Sequence, residues 1–576
     1  MADPEEVLAR LVGDALGAVL GAEHAGDDPL IRPSQFADFQ SNVALSLGKR
    51  LHRGAREVAA ELATQLAAAD LLGQVEVSGP GFVNLTLSDD WIAEQASGLL
   101  DDPRLGVPAA GTPQRIVVDY SGPNVAKELH VGHLRPTVVG DAIVRVLEFL
   151  GHQVTRAAHL GDWGTQFGML IEHAQDIGEQ ATYDQLAGGE FTAFYQAARA
   201  KFVAGQAFAD RARQRVVELQ AGEAHALSLW RLLVGDSMEY LRSIYARLDI
   251  TLTDADMAPE SFYNPMLASV CAELEQAGIA VISDGALCVF PPGFTGRDGK
   301  PLPLILRKSD GGYGYDTTDM AAIRYRLVEL GASRLIYVVG SEQSQHLQMV
   351  FAAARQAGWL TDAASAEHAV IGLMTGPGGQ RLRTRTGAQI KLITLIDEAV
   401  ERAEEVIKDR YDDPEQRARI AEAVGIGALK YGDLSIARDS SYALDFDRLL
   451  ALTGNTGPYL QYATARIRSI FHRAGQQPDQ AAGPILVTEG AERALALQLL
   501  GLGGAARGAA ATAEPHKLAG FLFDTASAFT TFYEQCPVLQ APEPSIRQSR
   551  LALSALTLRV LVTGLGLLGI PVPDRM

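Results

Sequence analysis

SGPNVAKELHVGHLRPTVVGDAIVRVLEFLGH, residues 121–152, is the stretch whose reading decides the fold. Just ahead of it runs RIVVDYS, residues 115–121, a β-branched apolar run with Pro113 before it and Gly122-Pro123 after it, which reads as a buried strand. Beyond Gly132 the apolar residues Leu134, Val138, Val139, Ile143, Val146, Leu147 and Leu150 recur at helical spacing. His130, Gly132 and His133 therefore occupy a strand-to-helix turn. A helix start offers unpaired N–H groups and the positive end of its dipole, which suits a phosphate. The two imidazoles add donors to phosphoryl oxygens, and Gly132 leaves room for a base or ribose near the backbone. The residues alone also allow ordinary polar side chains at a helix start, or a zinc pair. For zinc, no Glu is placed as in HExxH and the cysteines lie far away.

Outward from this turn, residues 111–400 read as a doubly wound parallel α/β sheet, with a mostly helical span at about 175–248 inserted between its halves. GALCVF, RLIYVVG and AVIGLM supply the later strand-like runs. Ligands in such sheets bind at the carboxyl ends of strands, so the loops at His130 and Ser341 should face one crevice. Residues 1–110 form a small α/β module ending in DDPRLGVPAAGTPQ. From 401 to 576 the pattern is almost wholly helical, a bundle with PILVTEG as its one strand-like run.

With 576 residues, 47% of them hydrophobic, the chain has material for several cores. MADPEEVLAR is acidic and polar, unlike a secretion signal, and no run of about 18 uninterrupted apolar residues occurs, so a cytoplasmic protein away from membranes is expected. Cys271, Cys288 and Cys536 are too scattered for a disulfide framework or a CxxC metal site and read as reduced core thiols. The net charge of −19 opposes nucleic-acid binding only on average. RIRSIFHR, residues 466–473, and RLRTR, residues 381–385, are candidate basic faces, although such runs are also common on solvated surfaces.

SGPNVAKELHVGHLR, GDWGTQFG and GNTGPYLQYATARIRSI resemble the arginyl-tRNA synthetases, of the class I aminoacyl-tRNA synthetases of bacterial type, and the resemblance runs the length of the chain. It implies a Rossmann-like catalytic domain at 111–400, an N-terminal α/β domain that contacts tRNA, and an all-α anticodon-binding bundle. The implied activity is activation of L-arginine by ATP to arginyl-adenylate, then transfer to the 3′-terminal adenosine of tRNA(Arg), with Mg²⁺ sharing the pyrophosphate charge. Activation in this family usually requires bound tRNA.

Residue by residue, the resemblance places ATP at His130, Gly132, His133, Lys127 and Gly161. The second class I signature, KMSKS, has no literal counterpart. RLRTR stands in its place, with Arg383 and Arg385 as catalytic candidates and Thr384 where a lysine is expected; Lys127 is implied as the substitute cation. Arginine would be held by Asn124, Glu260, Tyr315, Asp319, Gln343 and His159, with Asp319 for the guanidinium and Asn124 for the backbone end. Tyr315 and Asp319, four apart, can share a helix face, and a buried acid paired with a planar fork would reject lysine. His159 reads equally as a core histidine beside Trp163. Phe36 and Gln40, in FADFQSN, match the family's tRNA-elbow contact, as does Gly79-Pro80-Gly81-Phe82, though turns and core contacts would read alike. Tyr459, Tyr462 and Arg466, spaced i, i+3, i+7, could offer aromatic platforms to unstacked anticodon bases or simply form core. Two other functions fit parts of the chain: a non-catalytic tRNA-binding or arginine-sensing paralogue, and a small-molecule nucleotidylyltransferase, whose domains lack a bundle of this size. A monomer is the default assembly.

Overall fold

In the computed structural model, which describes residues 3–125, 128–187, 191–296, 298–380, 382 and 390–576, Arg115–Tyr120 is an inner strand of a four-stranded parallel sheet. The order is Ser365–His368, Arg334–Val338, Arg115–Tyr120, Gln153–Ala157, every neighbouring pair parallel. Arg334 pairs with Ile116 and Val338 with Tyr120, while Asp119 pairs with Ala157. A parallel strand covered on both faces needs a continuous apolar run rather than an alternating one, and Ile116, Val117, Val118, Leu335 and Ile336 are all buried. Leu134–Phe149 is the crossover helix between two of the strands. Gly140 lets it lie on the sheet, because a β-carbon there would stand 2.3 Å from that of Tyr120.

After Gln153–Ala157 the chain leaves the sheet through the helices Thr165–Ile177, Glu179–Ala187, Phe191–Ala204, Gln206–Gln220 and Ala224–Arg247. GALCVF does not enter the parallel sheet on the way back. Asp284 (φ 48°) and Gly285 (φ 79°) form a tight turn that folds Ala286–Val289 against Ala280–Ser283 as an antiparallel hairpin, to which Leu304–Arg307 adds a third strand. AVIGLM is displaced too, since the regular strand is Ser365–His368 just before it. Ala369 and Ile371 still donate to the Tyr337 and Val339 carbonyls, at 2.9 and 3.0 Å, but at Gly372 the chain turns to bond the Arg438 carbonyl at 2.7 Å. Met374–Thr375 then pairs with Tyr442–Ala443.

Helices Leu392–Ile407 and Pro414–Leu434 pack in the same compact unit, which spans Ala110–Leu450 with Leu568–Ile570. Buried charges knit it. Arg135 lies 3.0 Å from Asp433, with both side chains almost wholly buried, and donates to the Ser440 carbonyl at 2.7 Å. Lys430 donates to the Leu248 carbonyl, 2.5 Å away, at the end of the last inserted helix. Burial, only partly offset by Asp141, lowers its ammonium to about 8.

The second unit joins Met1–Ala109 to Ala451–Leu567 and Pro571–Met576. Its N-terminal part sets an antiparallel sheet, in the order Ile31–Pro33, Phe39–Ser41, Phe82–Leu87, Leu72–Ser78, against helices including Pro4–Leu20 and Ala55–Leu66. Its C-terminal part contains Gly457–Ala474, Gly490–Leu500, Leu502–Thr512, His516–Gln535 and Pro544–Leu567 around Leu495, Leu518, Phe529, Phe532 and Leu556. PILVTEG is not a strand: Ile485 N–H donates to Ser97 Oγ and Leu486 N–H to Ser549 Oγ, each at 2.8 Å, so side chains satisfy the backbone that a ladder would have paired. The three cysteines are buried free thiols.

Candidate active site

The strand Arg115–Tyr120 ends at Ser121, whose φ of 54° turns the chain sharply off the sheet. That left-handed conformation is costly for a serine and is locked by its hydroxyl, which meets Tyr245 Oη at 2.9 Å and accepts from Thr137 Oγ1 at 2.7 Å. The loop then carries Asn124 and arrives at His130, the cap of a short 3₁₀ turn, Val131–His133, leading into the Leu134–Phe149 helix. His133 Nδ1 accepts the His130 N–H at 3.0 Å, and His130 Nδ1 accepts the Gly132 N–H at 3.1 Å. A neutral ring that accepts at Nδ1 carries its proton at Nε2, so both rings are set as Nε2–H donors. Their centroids are 3.9 Å apart. A β-carbon at Gly132 would fall 2.9 Å from His130 Cε1, so the glycine makes room for that ring rather than for a ligand alone.

The same turn is bonded to the segment that follows RLRTR. Val131 N–H donates to the Ile390 carbonyl at 3.0 Å, Leu392 N–H donates to the Leu129 carbonyl at 2.8 Å, and Lys391 pairs with Glu128 at 2.8 Å. Lys127, Arg383 and Arg385, with Arg381 and Thr384, lie outside the described residues.

The arginine candidates converge beside this loop. Asn124 bridges to Gly161: Val125 N–H donates to the Gly161 carbonyl and Gly161 N–H to the Pro123 carbonyl, both at 3.0 Å. A β-carbon on Gly161 would stand 2.1 Å from Asn124 Oδ1, so this glycine sets the Asn124 amide in place. His159, two residues before, stacks on buried Tyr263 with centroids 5.5 Å apart, and its Nε2 is 3.8 Å from Asp319. It faces the acid as well as the core, which joins the two readings of this histidine.

Tyr315 and Asp319 share the helix Tyr315–Arg324, one turn apart. The other oxygen of Asp319 meets His346 Nε2 at 2.6 Å, and His346 Nδ1 lies 3.5 Å from Asp316. Burial works against a charge on His346, but its hydrogen bond to Asp319 and the charges of Asp319 and Asp316 outweigh that and raise its pKa. Burial also acts to raise Asp319, yet His346 and His159 hold it below the usual carboxylate range. Tyr315, 64% exposed, sets its ring edge-on to His346 with centroids 5.0 Å apart.

Glu260 begins the helix Glu260–Gln276 and accepts the Trp163 N–H at 3.3 Å. Burial first, then Asp162 and Asp319, push its carboxyl up to about 7. Asp162 accepts from Ser261 N–H and Oγ at 2.9 and 2.6 Å, and burial lifts it to about 6. Gln343 is exposed in the Ser341–Gln343 turn after Arg334–Val338 and is not drawn into this cluster by any described hydrogen bond of its side chain. The result is a cluster of acids, Asp162, Glu260, Asp316 and Asp319, beside the loops that leave Arg115–Tyr120 and Gln153–Ala157, a setting whose charge suits a cation.

Sequence reading passed over Asp316, His346, Asp162, Ser261 and Tyr263. Asp316 is next to Tyr315 and His346 is three residues after Gln343, both arginine candidates, but nothing in their spacing says that the two segments meet.

In the other unit, Tyr459, Tyr462 and Arg466 lie along the outward side of Gly457–Ala474. Tyr459 is half-buried against Phe523 and Thr530, Tyr462 is exposed, and Arg466 lies 4.1 Å over the Tyr533 ring, so the stripe is partly packed and partly open to solvent. Phe36 is 82% exposed, and Gln40 donates to Asn42 Oδ1 at 2.6 Å.

Residues 95–446 match the family described as tRNA synthetases class I (R), catalytic domain; residues 460–576 match the DALR anticodon binding domain, and residues 6–87 the arginyl tRNA synthetase N terminal domain. The chain is 60% identical over 578 residues to an arginine–tRNA ligase of Thermobifida fusca (strain YX), covering 100% of each. It is 50% identical over 579 residues to that of Frankia casuarinae, covering 98% of this chain and 97% of the relative. Among solved structures, the arginyl-tRNA synthetase of Plasmodium falciparum aligns with a TM-score of 0.83 at 28% identity, over 99% of each chain.

Proposed function

The chain belongs to the arginyl-tRNA synthetases, which ligate arginine to tRNA with ATP, and from that premise we propose how its own residues divide the work. Asp319 receives the substrate guanidinium, with Glu260, Tyr315 and His159 around it; Gln343 is assigned to the arginine from the exposed turn after Arg334–Val338, and Asn124 holds the backbone end of the amino acid. The observation that carries this reading is the placement of Asp319 between His346 and His159, with Glu260 near enough to be raised by its charge. Several carboxyl groups brought together, Asp319 and Glu260 among them, suit a guanidinium, whose planar fork matches carboxylate geometry.

His130 and His133 donate from Nε2 to ATP phosphates, Gly132 and Gly161 support them, and Lys127 with Arg383 and Arg385 supplies the remaining positive charge. Mg²⁺ would be held by the phosphates and would share the pyrophosphate charge. The arginine carboxylate attacks the α-phosphorus and pyrophosphate leaves; the 2′-hydroxyl of the terminal adenosine then attacks the activated carbonyl and AMP leaves. The protein's part is position and electrostatics.

Residues 1–110 and the helices from 451 onward are assigned to tRNA, through Phe36 and Gln40 on one and Tyr459, Tyr462 and Arg466 on the other, while residues 401–450, which pack in the Ala110–Leu450 unit, go with the catalytic domain that begins at 111. The enzyme is taken to act as a monomer in the cytoplasm, a compartment that suits its free thiols. Pyrophosphate exchange with arginine tests the scheme. Exchange should need arginine and be weak until tRNA is added; robust exchange without tRNA would contradict it.

A further inference from the structure

Phe36 is more exposed, at 82%, than any other large apolar side chain among the described residues. It lies in the loop between Ile31–Pro33 and Phe39–Ser41. Phe36 N–H donates to Ser34 Oγ at 3.1 Å, and Ser34 N–H reaches the Asp38 carbonyl at 3.4 Å. A free loop with an exposed ring would sample many positions, and ordering it on binding would cost affinity. This loop is tied down at Asp38.

The tie comes from the helical bundle. Arg493, on Gly490–Leu500, donates to both Asp38 oxygens at 2.8 and 2.7 Å, to Asp89 at 2.6 Å and to the Leu87 carbonyl at 2.8 Å. Asp38 also accepts the Leu87 N–H at 2.8 Å. The helix that carries Arg493 is itself seated firmly. Neighbouring Glu492 accepts from the Thr488 and Glu489 N–H groups at 2.8 and 3.0 Å and pairs with buried Arg550 at 2.7 Å. The two-point grip on Asp38 with side donations to Asp89 and Leu87 needs a planar fork, which lysine lacks.

We propose that Arg493 is a positioning residue for tRNA binding: it fixes the Asp38 loop so that Phe36 is held ready to stack on an unstacked tRNA base. An exposed aromatic ring on a rigid support is the usual platform for such a base. The proposal rests on reading Phe36 as a tRNA contact.

The test is aminoacylation by the full-length enzyme with a tRNA(Arg) transcript, comparing Arg493→Ala, Arg493→Lys, Phe36→Ala and the double variant Phe36→Ala/Arg493→Ala. Arg493→Ala should raise KM for tRNA about tenfold while kcat and the KM values for arginine and ATP hold, and lysine should not rescue it. The double variant should be no worse than Phe36→Ala, because the clamp acts through that ring. If Phe36→Ala leaves KM for tRNA unchanged, the reading of the loop fails and takes the proposal with it. If Phe36→Ala raises KM and Arg493→Ala does not, or if the two effects multiply in the double variant, the reading of Phe36 stands and the clamp is overturned. Should Arg493→Ala not fold, Asp38→Asn, which keeps the loop's size and loses the charge, carries the same comparison.

Discussion

His346 Nε2 lies 2.6 Å from one oxygen of Asp319, while the other oxygen stands 3.8 Å from His159. The acid proposed to meet the substrate is thus aimed by one imidazole and faced by another before any substrate arrives. Removing the aiming group tests this arrangement. His346→Ala should raise KM for arginine about tenfold with KM for ATP unchanged. His346→Gln, which keeps one N–H donor, should recover part of the loss. Equal changes for arginine and ATP would mean that His346 only supports the fold.

The raised carboxyl of Glu260 predicts a pH dependence. A cation arriving beside a group that titrates at about 7 favours its ionised form, so binding below that pH must expel a proton and weakens. KM for arginine should rise as pH is lowered from about 8 to about 6, and Glu260→Gln should flatten that rise. The same shift bears on folding. The folded protein keeps this proton where the unfolded chain has lost it, so the group's stabilisation is present at acid pH, declines as pH rises from the ordinary 4.5 and is gone above about 7.

The Arg135–Asp433 pair predicts an asymmetry in stability. Burial, only partly countered by Arg135, raises Asp433 to about 6. Arg135→Met would leave that acid buried without its partner and should destabilise by about 3–5 kcal/mol, whereas the double variant Arg135→Met/Asp433→Leu should cost far less. Denaturant unfolding followed on both variants separates the two outcomes; equal losses would remove the ion pair as the cause.

Lys127, assigned as the cation that replaces a KMSKS lysine, should be nearly as necessary as a motif histidine. Lys127→Ala and His130→Ala should each slow tRNA-dependent pyrophosphate exchange by about a hundredfold or more. Near-normal exchange in Lys127→Ala would return the missing charge to another residue.

Local chemistry explains which parts of this molecule could be read from residues 121–152. A β-branched run followed by apolar residues at helical spacing has one plausible outcome, and Leu134–Phe149 lies where the spacing placed it. Tyr315 and Asp319 were likewise legible, because one helix turn relates them. GALCVF misled because its apolar content suits either sheet, while its strand partner is chosen by the Asp284-Gly285 turn beside it. PILVTEG misled because strand-like composition says nothing of whether a ladder or the hydroxyls of Ser97 and Ser549 will satisfy its backbone. His346 could not be assigned from its own string, since its role depends on acids that meet it only through the fold.

Asp319 is the acid assigned to the substrate guanidinium, and steady-state aminoacylation by Asp319→Asn against the unaltered enzyme measures that role. The substitution keeps size and one acceptor while removing the charge. KM for arginine should rise at least about a hundredfold with KM for ATP and tRNA little changed. An unchanged KM for arginine would show that the guanidinium is held elsewhere.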